Sequence, residues 1–258
     1  MKYKLTSITK ECYGRTLHRI ECVESFADVK VGDFGGWVES EDNLCNFGDA
    51  WVFGNAEVFD DAKVCGDALV FGNAKVFGNA KVSGDARVCG NAKVSGNARV
   101  CGNAKVFGNA KVSGNAKVCG DAWVSGDAEV SGDAGVSGDA GVFGNAEVFD
   151  DAKVCGDALV FGDARVCGNA RVCGNARVCG DGDYIVLKNS WSSCRYFTYT
   201  SSNGMWSVGC FYGTGEELIN KAYKDSELSG KCYEASVRYI EAIERIKADV
   251  KTKRCRNY

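Results

Sequence analysis

The sequence predicts a mainly β chain: a single-stranded parallel β-helix of about seven triangular coils, 18 residues each, with a β-rich N-terminal cap and a small α+β C-terminal domain. Three observations carry this. A six-residue unit, G-[N/D]-A-x-V-x, runs from Gly48 to Cys179 in unbroken register, 22 times over, with Asp60 and Asp150 alone replacing the glycine. Within each unit Ala and Val stand two apart, so on a strand both face one way and the two x positions face the other. Proline is absent from all 258 residues, as suits an uninterrupted ladder in which every N–H must donate.

The unit also supplies its own corner. Gly tolerates positive φ, and Asn or Asp bonds its own backbone, so the chain turns every six residues. Three turns close a triangle, and successive coils lie about 4.8 Å apart, giving a prism roughly 35 Å long. The run FGNAEVFDDAKVCGDALVFG occurs at Phe53–Gly72 and again at Phe143–Gly162, 90 residues later. Ninety is five coils of 18, so both copies fall on the same faces. The interior is narrow, filled by pairs such as Val82 and Ala86. An Asp at Val106 would bury a charge without a partner.

Residues 1–47 form the N-terminal β cap and first coil. Lys2–Thr6 and Thr16–Val23 read as strands about a turn at Tyr13-Gly14-Arg15, and Trp37-Val38 as the first solenoid strand. Leu44 takes a Val-like place, but two extra residues, Asn46 and Phe47, precede Gly48. Residues 48–180 are the β-helix, and residues 181–258 the C-terminal α+β cap domain. Solenoid ends expose an apolar core and an open edge, so covering them is the expected role of both flanks. In the C-terminal flank Tyr184–Lys188, Arg195–Ser201 and Met205–Tyr212 read as strands, the last two joined by an Asn-Gly turn. Thr214 and Glu217 form a capping box that opens a helix through Tyr223. A second helix spans Lys231–Val250, with Tyr233, Val237, Ile240, Ile243 and Ile246 as its apolar stripe.

A net charge of −3 favours no partner by bulk electrostatics. No apolar run approaches a membrane span, and the N-terminus lacks the apolar core of a signal peptide. Fifteen cysteines are odd in number and exchange with Ser or Phe at one repeat position. They are read as free thiols in a reducing cytoplasm, although Cys101 with Cys119, and Cys155 with Cys173, stand one coil apart. No metal site and no cofactor are expected: C-x-x-C is absent, and stacked Asp121, Asp139 and Asp157 read as corner residues.

The repeat over residues 48–179 resembles hexapeptide-repeat proteins that form left-handed β-helices, including YdcK-like proteins labelled as transferases. The segments T-L-H-R-I at Thr16–Ile20, G-D-F-G-G-W-V-E-S at Gly32–Ser40 and G-C-F-Y-G-T at Gly209–Thr214 resemble phage- and prophage-encoded members. The resemblance implies a left-handed coil. It also raises an acyltransferase reading, with a site at a cap or subunit interface. Acyltransferases of this class use a histidine base and loops that interrupt the coils. The 22 hexads have neither, and the single histidine, His18, lies in the N-terminal cap as the one weak catalytic candidate. A carbonic anhydrase of this fold needs three histidine ligands, which the chain does not have.

The outward positions point to binding instead. The residue after Val is nearly always Phe, Cys or Ser. One row carries Phe53, Phe71, Phe107, Phe143 and Phe161, an apolar strip that serves coil stacking or association. Lys63, Lys81, Arg99 and Lys117 line one face. Between residues 72 and 119 eight cations oppose Asp85 alone, a net of +7, whereas residues 120–163 carry ten carboxylates against Lys153, a net of −9. The predicted function is a non-enzymatic scaffold of phage or prophage origin. It associates with a protein partner or with itself through these faces. Nucleic acid is a weaker partner because the acidic band would repel it, and no membrane is involved.

Overall fold

A computed structural model describes residues 1–255. Each hexad contributes a two-residue strand, and three successive strands complete a coil. Pairing is parallel with a step of 18, so Val82 lies on Val100 and Val100 on Val118. Three parallel sheets form the sides of a prism. An outward residue identifies each side: the Glu57 face, the Lys63 face and the Leu69 face. Every Ala and Val of the repeat, from Ala50 to Val178, is fully buried in one continuous core.

The solenoid has eight coils, one more than the hexad count from Gly48 gives. Val38 pairs in parallel with Val58, and Leu44 bridges Val64. Two sides of the first coil are therefore built from residues before the regular repeat, with Asn46 and Phe47 bulging out between Leu44 and the third side, Trp51–Val52.

Corner glycines hold φ near +70°, and stacking makes them doubly necessary. At Gly102, φ is +69° and an added Cβ would stand 3.0 Å from the Gly120 nitrogen in the next coil. Asp60 and Asp150 occupy the same corner five coils apart, with φ of 58° and 59°. Their side chains offset the strained backbone: each Oδ2 accepts the N–H of the next corner glycine, Gly78 or Gly168, at 3.1 Å. Asparagines form ladders along the corners. Asn73 donates to Asn91 at 3.2 Å, Asn91 to Asn109 at 3.0 Å, and Asn109 to Asp127 at 2.8 Å. A carboxylate accepts but cannot donate, so a ladder ends where Asp appears.

Where the chain enters and leaves each strand, and at the corners, the bonds run from one coil to the next: Lys75 N–H donates to Ala92 C=O, Phe77 to Val94 and Asn79 to Gly96. At these positions the first coil is left with spare carbonyls and the last with spare N–H groups. Each cap supplies the complementary chemistry. At the start, the Lys2 ammonium donates to the Gly48 and Ala50 carbonyls, both at 2.8 Å, and the Tyr3 hydroxyl to that of Leu44 at 2.8 Å. At the end, Arg165, Arg171 and Arg177 N–H groups donate to Asp181 (3.0 Å), Thr198 (2.9 Å) and Ser202 (2.7 Å), one for each face.

The N-terminal cap is a hairpin of β1 (Tyr3–Cys12) and β2 (Arg15–Cys22), joined to the solenoid through β3 (Phe34–Val38). β1 runs beyond the predicted Thr6, because both residues of the turn, Tyr13 and Gly14, take positive φ and hold the arms in register. Its base adds Tyr3, Ile20 and Cys22 to the solenoid core. Its tip folds onto the Glu57 face, where Cys12 and Leu17 pack with Trp37 and Phe59.

The C-terminal domain is a four-stranded antiparallel sheet, at 184–188, 196–200, 205–208 and 211–213. The predicted third strand is in fact two, broken at Gly209-Cys210, where Gly209 adopts φ of 58° and reverses the chain. Helix α1 (Gly215–Asp225) opens on the predicted box: Thr214 N–H donates to Glu217 Oε2 at 2.8 Å, and Glu217 N–H to Thr214 Oγ1 at 3.3 Å. Helix α2 (Glu227–Cys255) begins four residues earlier than predicted. Tyr233, Val237 and Ile240 pack with Phe197 and Trp206, but Ile246, predicted on the same stripe, is 63% exposed. No helix among the described residues is long and apolar enough to cross a membrane.

Candidate binding surface

The step of 18 turns a scattered set of cations into one column. Lys63 pairs with Lys81, Lys81 with Arg99 and Arg99 with Lys117 on the Lys63 face. The column crosses Gly135 and continues as Lys153 and Arg171, which the sequence reading had not joined to it. Lys63, Lys81, Arg99, Lys117 and Lys153 are exposed, and none of them forms an ion pair among the described residues. At the strand spacing, adjacent like charges repel by about 1 kcal/mol in water before screening. The column is thus a mild strain on the rod, relieved by any anionic partner laid along it.

The phenylalanine row lies at an edge of the Leu69 face and is half-buried apart from Phe53. Phe143 and Phe161 stack at 5.3 Å, and Trp123 leans on Phe143 at 6.3 Å. Phe53 meets Trp51 at 6.4 Å, near the N-terminal cap. Cys89 and Ser125 flank Phe107, so the aromatic surface is a set of short segments. Trp51 is buried beneath Tyr3 and Phe26, so it offers no exposed ring on this surface.

His18 faces the backbone of its own hairpin. Its Nδ1 lies 3.1 Å from the Thr6 carbonyl, at the bulge where β1 shifts register against β2. This geometry gives it a local structural role.

Sequence reasoning missed a charged cluster under the hairpin tip. Glu57, buried on its face, meets Lys10 Nζ and Lys75 Nζ, each at 2.7 Å, and accepts from Cys12 Sγ at 3.0 Å. Burial pushes the Glu57 carboxyl upward, but the bonds from Cys12, Lys10 and Lys75 outweigh it and hold the group at about 2. Burial and the Glu57 carboxylate push the Cys12 thiol up, which makes it a poor nucleophile. The cluster pins the cap to the solenoid. A signal was present in the sequence: Glu57 is an acid at a position mostly held by cations. Its partners, 45–47 residues upstream, were not legible.

The free-thiol reading is corrected at two places. Cys45 is bonded to Cys65, and Cys155 to Cys173, with Cα atoms 4.9 and 4.7 Å apart. Parallel stacking is the cause, since equivalent side chains of adjacent coils share one column. The inference of a reducing compartment, which rested on free thiols, loses that support. A cavity of about 350 Å³ lies in the C-terminal domain, lined by Asn189, Arg195, Lys221 and Tyr233 among others.

A family model, the YdcK beta solenoid repeat, matches the chain over residues 86–102 and 164–180. No curated protein matches the chain. Both matched segments lie within the solenoid, and over them the chain is similar to the YdcK β-solenoid repeat, a likeness of the coil rather than of either cap.

Proposed function

We propose that the chain is a non-enzymatic scaffold, of phage or prophage origin, whose Lys63 face docks an acidic segment of a protein partner. The observation that carries this is the in-register column Lys63, Lys81, Arg99 and Lys117, exposed and without carboxylate partners. An extended acidic segment spanning the four coils, about 14 Å, would place one carboxylate near each cation. A nucleic acid strand running further along the rod would meet the stacked carboxylates Asp121, Asp139 and Asp157 at one edge of the same face. The rigidity of the prism suits display, because every coil is fixed by its neighbours.

The test is affinity purification of the tagged full chain from an infected or lysogenic host, beside a variant carrying Lys63→Glu, Lys81→Glu, Arg99→Glu and Lys117→Glu. A protein with an acidic segment, held by the parent chain, released by salt and lost from the variant, is the expected result. Equal capture by both chains, nuclease-sensitive recovery, or bound acyl donor with turnover would each defeat the reading.

A further inference from the structure

The Glu57 face differs from the other two in one respect: its outward strand residues change sign along the rod. In register they read Glu57, Lys75, Lys93, Lys111, Glu129, Glu147, Arg165. The outer members are already engaged. Glu57 and Lys75 are paired beneath the hairpin tip, and Arg165 bonds Glu147 at 3.0 Å while lying over Phe149. The central stretch is two cations, Lys93 and Lys111, followed by two carboxylates, Glu129 and Glu147, the last shared with Arg165 of its own chain. We propose that this stretch is a self-association surface, on which a second copy of the chain docks antiparallel about a two-fold axis between Lys111 and Glu129. The inference does not rest on the Lys63 face.

The order of residues is self-complementary under that axis and under no parallel arrangement. Lys111 of each copy faces Glu129 of the other, and Lys93 faces Glu147. The bordering corners agree. Asn109 then opposes Asp127 on one edge, and Asn115 opposes Asp133 on the other, so no carboxylate meets a carboxylate at the centre. The next row on this face is Ser95, Ser113 and Ser131, small enough for close approach. A hollow of about 280 Å³ there is lined by Glu129, Glu147 and Asp150 together with Arg165, which holds Glu147, and leaves Glu129 as the carboxylate a lysine would meet first. Within one chain Lys111 reaches Glu129 only at 3.9 Å, with both side chains largely exposed, so a better partner is available to each. The Leu69 face lacks this property, since its outward strand residues carry no carboxylate, and the Lys63 face is cationic throughout.

Four coils by one side of the prism is roughly 400 Å² on each copy, below the size of a stable specific interface and in the range of weak, transient ones. The dimer should therefore be reversible and sensitive to salt. Sedimentation of the full chain at about 0.05 M and about 0.5 M salt is the first measurement, with at least a roughly tenfold weakening expected over that range. Lys93→Glu with Lys111→Glu, or Glu129→Lys with Glu147→Lys, should each give monomers. Mixed together, the two variants should pair, and the fourfold exchange in one chain should dimerise again. Carbodiimide coupling should join Lys93 to Glu147 between chains. Inside one chain these residues are three coils apart, about 14 Å, beyond a zero-length bond. A parent chain that is monomeric at low salt, a dimer indifferent to both double variants, or a folded fourfold exchange that stays monomeric would each overturn the proposal. None of these outcomes bears on capture through the Lys63 face.

Discussion

The Lys75 ammonium lies 2.7 Å from the Glu57 carboxylate of the preceding coil, and Lys10 of the hairpin closes on the same group from the other side. This three-membered cluster, a buried carboxylate between two half-buried lysines, ties the N-terminal cap to the outside of the solenoid. Removing the acid strands two ammonium groups, and breaking a buried pair from one side costs several kcal/mol.

Glu57→Gln is therefore expected to destabilise the chain by about 3 kcal/mol at neutral pH, the free energy of holding its carboxyl near 2 rather than in the ordinary range. The sign follows from the depressed value. The contribution is complete above the ordinary carboxylate range and disappears as pH falls through about 2. Urea unfolding of parent and variant at pH 7 and near pH 3 measures this. A gap that does not narrow in acid would show that the carboxylate charge is not its source.

Corner glycines should divide into two classes. Gly102 has positive φ and another backbone 3.0 Å from where a Cβ would sit, whereas Gly168 has positive φ of 63° and open space around it. Gly168→Ala should cost only the left-handed backbone penalty, about 1–2 kcal/mol. Gly102→Ala should cost at least about 1 kcal/mol more, because the next coil must shift to admit the methyl group. Equal losses in thermal unfolding would mean that stacking does not select glycine there.

The C-terminal edge should depend on its side-chain acceptors. Thr198→Val keeps the shape but removes the oxygen that receives Arg171 N–H at 2.9 Å. An unsatisfied donor at that partly buried site costs about 1–3 kcal/mol. Hydrogen exchange should locate the effect, with faster exchange at Arg171 and the last coil and little change near Val82. Uniform acceleration along the rod would argue that the caps act on the solenoid as a whole.

The solenoid was legible because its determinants are local: Ala and Val two apart, a glycine every six, and a stack at every eighteenth residue. The triangular register followed, as did the line from Lys63 to Lys117. What escaped was whatever crossed segments or broke the count. Cys45 stands 20 residues from Cys65, not 18, since Asn46 and Phe47 intervene. That offset hid the column they share, although Trp37-Val38 and Leu44 were legible as places in a first coil. Glu57 needed Lys10 and Cys12 from the hairpin, whose fold onto the Glu57 face no periodicity announces. The strand break at Gly209 was hidden because apolar and aromatic residues, Trp206 and Val208 before it and Phe211 and Tyr212 after it, stand on both sides.

That column yields the last prediction. On the Lys63 face the residues after the apolar position read Cys45, Cys65, Ser83, Cys101, Cys119, Ser137, Cys155, Cys173 in successive coils. Cysteines come in adjacent pairs, and a serine separates each pair from the next. The first and third pairs are bonded, while the middle pair, Cys101 and Cys119, is free. Burial and the neighbouring Cys119 push the Cys101 thiol up, so it reacts slowly at neutral pH. Parallel register nonetheless gives the middle pair the same one-coil step as Cys155 and Cys173. Treatment with diamide, which accepts the two hydrogens lost, should close it, and peptide mapping after alkylation should find Cys101 joined to Cys119. A bond across one coil closes a loop of about 18 residues, expected to add about 3 kcal/mol. Cys101→Ser should abolish that gain and leave the untreated protein unchanged. Joining of Cys101 to Cys89 or to another chain instead, with no gain in unfolding temperature, would show that the column does not set the pairing.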